Sequence, residues 1–118
     1  MMQILVVDDS ACDNTLLKRV LNAEGYDVVC AFNGQEALDK MKKEKPGLII
    51  SDVMMPIMDG FELIENVKAD DSLSKIPVIM LSSASSVIRS AKEMGVDEFL
   101  SKPIDKELLI EKVKKIMN

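Results

Sequence analysis

Five short apolar runs, each followed by an amphipathic stretch, constrain this chain more than any other feature of it. The runs are QILVV (3–7), DVVCAF (27–32), GLIIS (47–51), PVIMLS (77–82) and EFLS (98–101). Their near-continuous hydrophobicity suits strands buried on both faces. The stretches between them repeat apolar residues at helical spacing: Leu17, Val20 and Leu21; Ala37 and Met41; Ile64 and Val67; Val87, Ile88 and Ala91; then Leu109, Val113 and Ile116, with Lys112, Lys114 and Lys115 on the wet side of the last helix. Strand then helix, five times over, predicts an α/β fold: a doubly wound (βα)5 unit with a five-stranded parallel sheet, right-handed crossovers and helices on both faces. Gly25, Gly47 and Gly95 fall at the helix-to-strand turns, where a left-handed cap is expected. The 118 residues show no linker or long repeat, so one domain over residues 1–118 is expected.

Charge and composition remove several function classes. A net charge of −5 repels a phosphate backbone, so no nucleic acid is expected as a partner. No apolar run is long enough for a bilayer, so no membrane is expected either. MMQILVV lacks a basic leader, and Cys12 and Cys30 are isolated, which reads as reduced thiols in a cytoplasmic protein. The last helix runs to Asn118 without a linker, which favours a stand-alone protein. There is no histidine, the commonest general base and metal ligand, so any metal would be held by oxygen.

Doubly wound sheets bind ligands at the carboxyl ends of their strands. Here those ends carry chemistry-bearing side chains: Asp8 and Asp9 after the first strand, Asp52 after the third, Ser82 after the fourth and Lys102 after the fifth. Two carboxylates about 4 Å apart repel by roughly 4 kcal/mol at an effective dielectric of 20, so a cluster of three calls for a cation. Magnesium suits carboxylates combined with a phosphoryl oxygen. An aspartate can be the nucleophile that forms an acyl phosphate. A lysine opposite and a hydroxyl at Ser82 would then face the transferred group.

At these residues the chain resembles the receiver domain of two-component response regulators, most of all the short single-domain regulators of chemotaxis. The resemblance covers nearly the whole chain. It rests on the acidic pair at 8–9, DVMMPIMDG with Asp52, Pro56 and Gly60, PVIMLSS with Ser82, and the KP pair at 102–103. It implies the flavodoxin-like strand order 2-1-3-4-5. It implies a phosphorylation-dependent switch, in which Asp52 is the phosphoacceptor and a histidine kinase the donor. The protein would catalyse only its own phosphorylation and dephosphorylation. Asp8, Asp9, Asp52 and the backbone carbonyl of Met54 would hold Mg2+, Ser82 and Lys102 would contact the phosphoryl group, and Lys102–Pro103 would be a cis peptide. Ser82 and Phe99 would carry the signal to a surface of helix 4, strand 5 and helix 5, around residues 87–94 and 104–117, for a target protein of unknown identity. The protein would be a monomer or a weak dimer. Two departures stand out: Ser82 where threonine is commoner, and Ser83 where a small alanine is usual, beside the path of a hydrolytic water.

Plainer readings exist for each residue. Asp8 and Asp9 fit helix capping, and it is their pairing with Asp52 that favours a site. Met54, Met55 and Met58 fit packing better than a thioether copper site. Ser85 and Ser86 fit a polar loop with a helix cap. Lys102 could be a surface lysine, but its place before proline at a strand end favours a role. Phe99 fits core packing as well as a switch. Competing functions are a receiver cut from a longer regulator or hybrid kinase, an aspartate-based phosphatase, and a flavin-binding electron carrier. The carboxylates of the first loop would repel a flavin's phosphate, and the phosphatase would need a D-x-D after strand 1.

Overall fold

A computed structural model describes residues 3–117; the readings that touch residues 1, 2 and 118 lie outside them. Strands and helices alternate: β1 (Gln3–Val7), α1 (Ala11–Ala23), β2 (Asp27–Ala31), α2 (Gly34–Lys43), β3 (Leu48–Asp52), α3 (Gly60–Ala69), β4 (Val78–Ser82), a 3-10 turn (Ser85–Val87), α4 (Ile88–Glu93), β5 (Glu98–Ser101) and α5 (Lys106–Met117). All pairings are parallel and the sheet order is β2-β1-β3-β4-β5. The fold is the expected doubly wound one.

Burial explains which run became which strand. β3 and β4 are buried at every position and β1 at all but its first, because helices cover both sides of the sheet centre. β2 and β5 are the edges and carry the exposed Asp27 and Ser101. On one face Leu17, Val20 and Leu21 of α1 pack with Leu109 and Val113 of α5 over Ile4, Val6, Ile50 and Ile79. On the other, Ala37 and Met41 of α2, Ile64 and Val67 of α3 and Ala91 of α4 cover Leu5, Val7, Ile49 and Met80. Alternate residues of each strand feed the two cores, as the pleat requires. Among the described residues no helix is long and apolar enough to cross a membrane.

Several expectations need correction. β2 stops at Ala31, leaving Phe32 exposed, whereas β3 runs from Leu48 through Asp52 and not from Gly47. Gly25 and Gly95 adopt φ of 92° and 81°, but Gly47 has no positive φ, because α2 ends at Lys43 on an extended Glu44 and needs no left-handed cap. Lys112 does not lie simply in water: its ammonium sits 2.9 Å from Glu98 on β5, and hydrogen bonding to Lys112 holds that carboxyl below its usual range. No serine side chain caps the turn before α4. Met55 and Met58 pack against the core, but Met54 is 69% exposed and is not part of the core packing.

Candidate functional site at the carboxyl edge of the sheet

Parallel register brings the strand ends level. Val7 pairs with Ser51, Asp52 with Leu81, and Ser82 with Ser101. The chain leaves β1 toward β2 on one side and returns to β3 on the other, so a crevice opens between the ends of β1 and β3. Asp8 lies at one side of it and Asp52 at the other.

Asp8 is fully buried and firmly placed. Its N–H donates to the Ala31 carbonyl at 3.1 Å, its carbonyl accepts from Asn14 Nδ2 at 2.6 Å, and its Oδ1 accepts from the Ser10 N–H at 2.9 Å. Ser10, not Asp8 or Asp9, caps α1, its hydroxyl accepting from the Asp13 N–H. Asp9 is exposed. Asp52 is 7% exposed, and its Oδ1 accepts the Val53 N–H at 2.9 Å. α3 begins very close by: the Gly60 N–H donates to the Val53 carbonyl at 2.8 Å, and a Cβ on Gly60 would meet the Asp52 carbonyl oxygen and the Val53 Cα. Only glycine permits this approach. Carboxylate oxygens of Asp8, Asp9 and Asp52 lie within 4.8 Å of one another.

Lys102 closes the site. Its N–H donates to the Ser82 carbonyl at 3.0 Å, and the Lys102–Pro103 peptide bond is cis. Its Nζ lies 2.9 Å from Asp8 Oδ2, 2.9 Å from Asp13 Oδ2 and 3.4 Å from Asp52 Oδ2. Ser82 is buried, and its hydroxyl oxygen accepts the Ala84 N–H at 3.0 Å. Phe99 is half-buried against the core under α2–α4, paired with Met80, two strand positions before the Ser82–Ser101 pair at the site's edge. Met54 sits on the exposed loop after β3, where Ile57 adopts a φ of 71°.

The charges are unbalanced. Burial first, and then the Asp8 charge, push the Asp52 carboxyl above its usual range; Lys102 offsets this only in part. Burial alone would lower Lys102, but hydrogen bonds to Asp8 and Asp13 and the Asp52 charge hold it well above the ordinary lysine range. Three carboxylates, Asp8, Asp13 and Asp52, thus share one ammonium, and Asp9 adds a fourth negative charge to the cluster. Hard oxygen donors with excess negative charge and no nitrogen or sulfur ligand fit a divalent cation such as Mg2+.

Sequence reasoning missed Asp13 and Asn14. Asn14 Nδ2 ties the ends of β1 and β2 by donating to the carbonyls of Asp8 and Ala31. Asp13 is the third carboxylate on Lys102. The sequence signal present, serine three residues before an acid, points to a helix start and not to the pocket.

The response regulator receiver domain family matches residues 4–114. Sporulation initiation phosphotransferase F of Bacillus subtilis is 35% identical over 115 residues, covering 98% of this chain and 93% of that protein. The probable transcriptional regulator ycf27 of Porphyridium aerugineum is 34% identical over 117 residues, covering 98% of this chain and 48% of that protein. The chain therefore spans about half the length of the curated transcriptional regulators it matches. The solved structure of the chemotaxis response regulator CheY4 of Vibrio cholerae superposes with a TM-score of 0.92 at 34% identity, over 99% of each chain.

Proposed function

The chain belongs to the response regulator receiver domain family, and from that premise we propose that it works as a phosphorylation-driven switch whose phosphoacceptor is Asp52. The observation that carries this reading is the pairing of a buried, strand-end carboxylate with Lys102 in a pocket of excess negative charge. Asp52 Oδ1 is engaged by the Val53 N–H, which leaves Oδ2, on the lysine side, to attack phosphorus. With a histidine kinase as donor, the Oδ2–P bond forms as the P–N bond of the phosphohistidine breaks. The imidazole nitrogen keeps the bonding pair. Lys102 neutralises charge on the phosphoryl oxygens, and the Ser82 hydroxyl turns its proton toward one of them.

Asp8, Asp9, Asp52 and the Met54 carbonyl would hold Mg2+, which when bound supplies further neutralisation of the phosphoryl oxygens. The unit is one receiver domain over residues 1–118, acting as a switch and not turning over an external substrate. The readout surface is α4, β5 and α5, offered to a protein partner. The test is intact mass after treatment with a small acyl phosphate and Mg2+. The wild type gains one phosphoryl group and Asp52→Asn gains none; equal gain in both would reject Asp52 as the acceptor.

A further inference from the structure

Lys102 has one ammonium and three carboxylate neighbours. Two of its hydrogens go to Asp8 and Asp13, each at 2.9 Å, while Asp52 is the most distant of the three at 3.4 Å. Asp13 stands on the first turn of α1, its backbone fixed by the Ser10 cap, and its carboxylate reaches Lys102 from that helix, whereas Asp52 reaches it from the end of β3. We propose that Asp13 is a positioning residue that restrains Lys102 in the unphosphorylated protein and must release it before the lysine can serve a phosphoryl group on Asp52. The proposal rests on Asp52 being the acceptor.

The direction follows from state dependence. A contact made only in the unphosphorylated state stabilises that state, so the contact slows phosphorylation and its loss speeds it. Asp13 is one-third exposed, so water compensates it when the lysine departs. Asp8 is fully buried and has no such compensation, which makes it a poor candidate for release. The plain alternative is that Asp13 only complements the helix N-terminus, a role in which Lys102 has no part.

Asp13→Asn keeps the shape and the backbone N–H that Ser10 accepts from. Its rate of phosphorylation by a small acyl phosphate, at fixed Mg2+, should exceed that of the wild type by about threefold to tenfold, the scale of one partly exposed charged hydrogen bond. In a Lys102→Ala background the same substitution should change nothing. An unchanged or slower rate for Asp13→Asn in the protein that keeps Lys102 overturns the proposal, as does an equal gain in the Lys102→Ala background. A second measurement needs no phosphorylation: in the unphosphorylated protein, the Lys102 ammonium resonances should move further in Asp13→Asn than in Asp52→Asn, and the reverse order overturns the proposal. If the wild type takes no phosphoryl group at all, it is the Asp52 reading that fails, and the resonance comparison still decides the placement of Lys102.

Discussion

Asp52 ionises less readily than a free aspartate because it is buried and faces Asp8, so its charge counts against the folded state. Its folded pKa is raised, and between the ordinary aspartate value and that raised value the folded protein binds more protons than the unfolded chain. Stability therefore falls as pH rises through this window and the full penalty remains above it. Asp52→Asn removes the penalty while leaving an oxygen for the Val53 N–H. Without metal, the substituted protein should equal the wild type at low pH and exceed it at neutral pH, read by urea unfolding across pH. A variant less stable at neutral pH would mean that loss of the Lys102 contact outweighs the repulsion. Added Mg2+ should narrow the gap by stabilising the wild type more. At this scale the sequence was legible where topology alone delivers a residue: Asp8, Asp52 and Lys102 each stand at the carboxyl end of a strand. Asp13 was not, because its place depends on how α1 is rotated over the sheet, and a serine–acid spacing has a sufficient local meaning. Met54 was misread as packing because apolar character does not report exposure in a loop.

The elements were legible because period and burial agree. The three central strands each carry a run of three or four consecutive apolar residues, and each long helix buries the stripe that its spacing marks. Glycines were less so. Gly25 and Gly95 take the left-handed conformation, whereas Gly47 does not, and a helix-to-strand turn does not by itself reveal which ending it uses. Gly60 matters for another reason: α3 starts against the backbone at the end of β3, and the Cβ of an alanine would meet backbone atoms that cannot give way like a flexible side chain. Gly60→Ala should cost about 3 kcal/mol, the upper part of the range for overpacking. It should also slow phosphorylation, because relief of the clash shifts the strand end that carries Asp52. Urea unfolding and acyl phosphate labelling check the two effects; a loss under about 0.5 kcal/mol, typical of neutral surface changes, would show that α3 can back away freely. α4 is the short exception among the helices. It has six residues and buries only Ala91, so it holds to the sheet by little more than the flanking Val87 and Met94.

Across the whole molecule, the site and the proposed readout surface are joined by β4 and β5. Ser82 ends β4 with its hydroxyl turned to the Ala84 N–H at the start of the loop into α4, and Lys102 hangs from the Ser82 carbonyl. A phosphoryl group on Asp52 adds negative charge within reach of both. A hydroxyl that moves to meet it gives up Ala84, which loosens the entry to the weakly anchored α4, while Phe99 on β5 has room to repack because it is only half-buried. The phosphorylated and unphosphorylated proteins then differ in the α4–β5–α5 surface, and a partner responds in proportion to its differential affinity for the two. The sequence indicated which elements would meet here; the Ser82–Ala84 bond was invisible, because it belongs to a loop conformation. The most direct measurement is the amide NMR spectrum before and after acyl phosphate and Mg2+. The wild type should show shifts around Asp52 and also across Ala84, α4 and Phe99. Ser82→Ala should keep the first set and lose the second, and Asp52→Asn should show neither beyond the effect of metal. Wild-type shifts confined to the pocket, or far shifts that persist in Ser82→Ala, would contradict a switch relayed through this hydroxyl, and phosphorylation shifts in Asp52→Asn would contradict Asp52 as its origin.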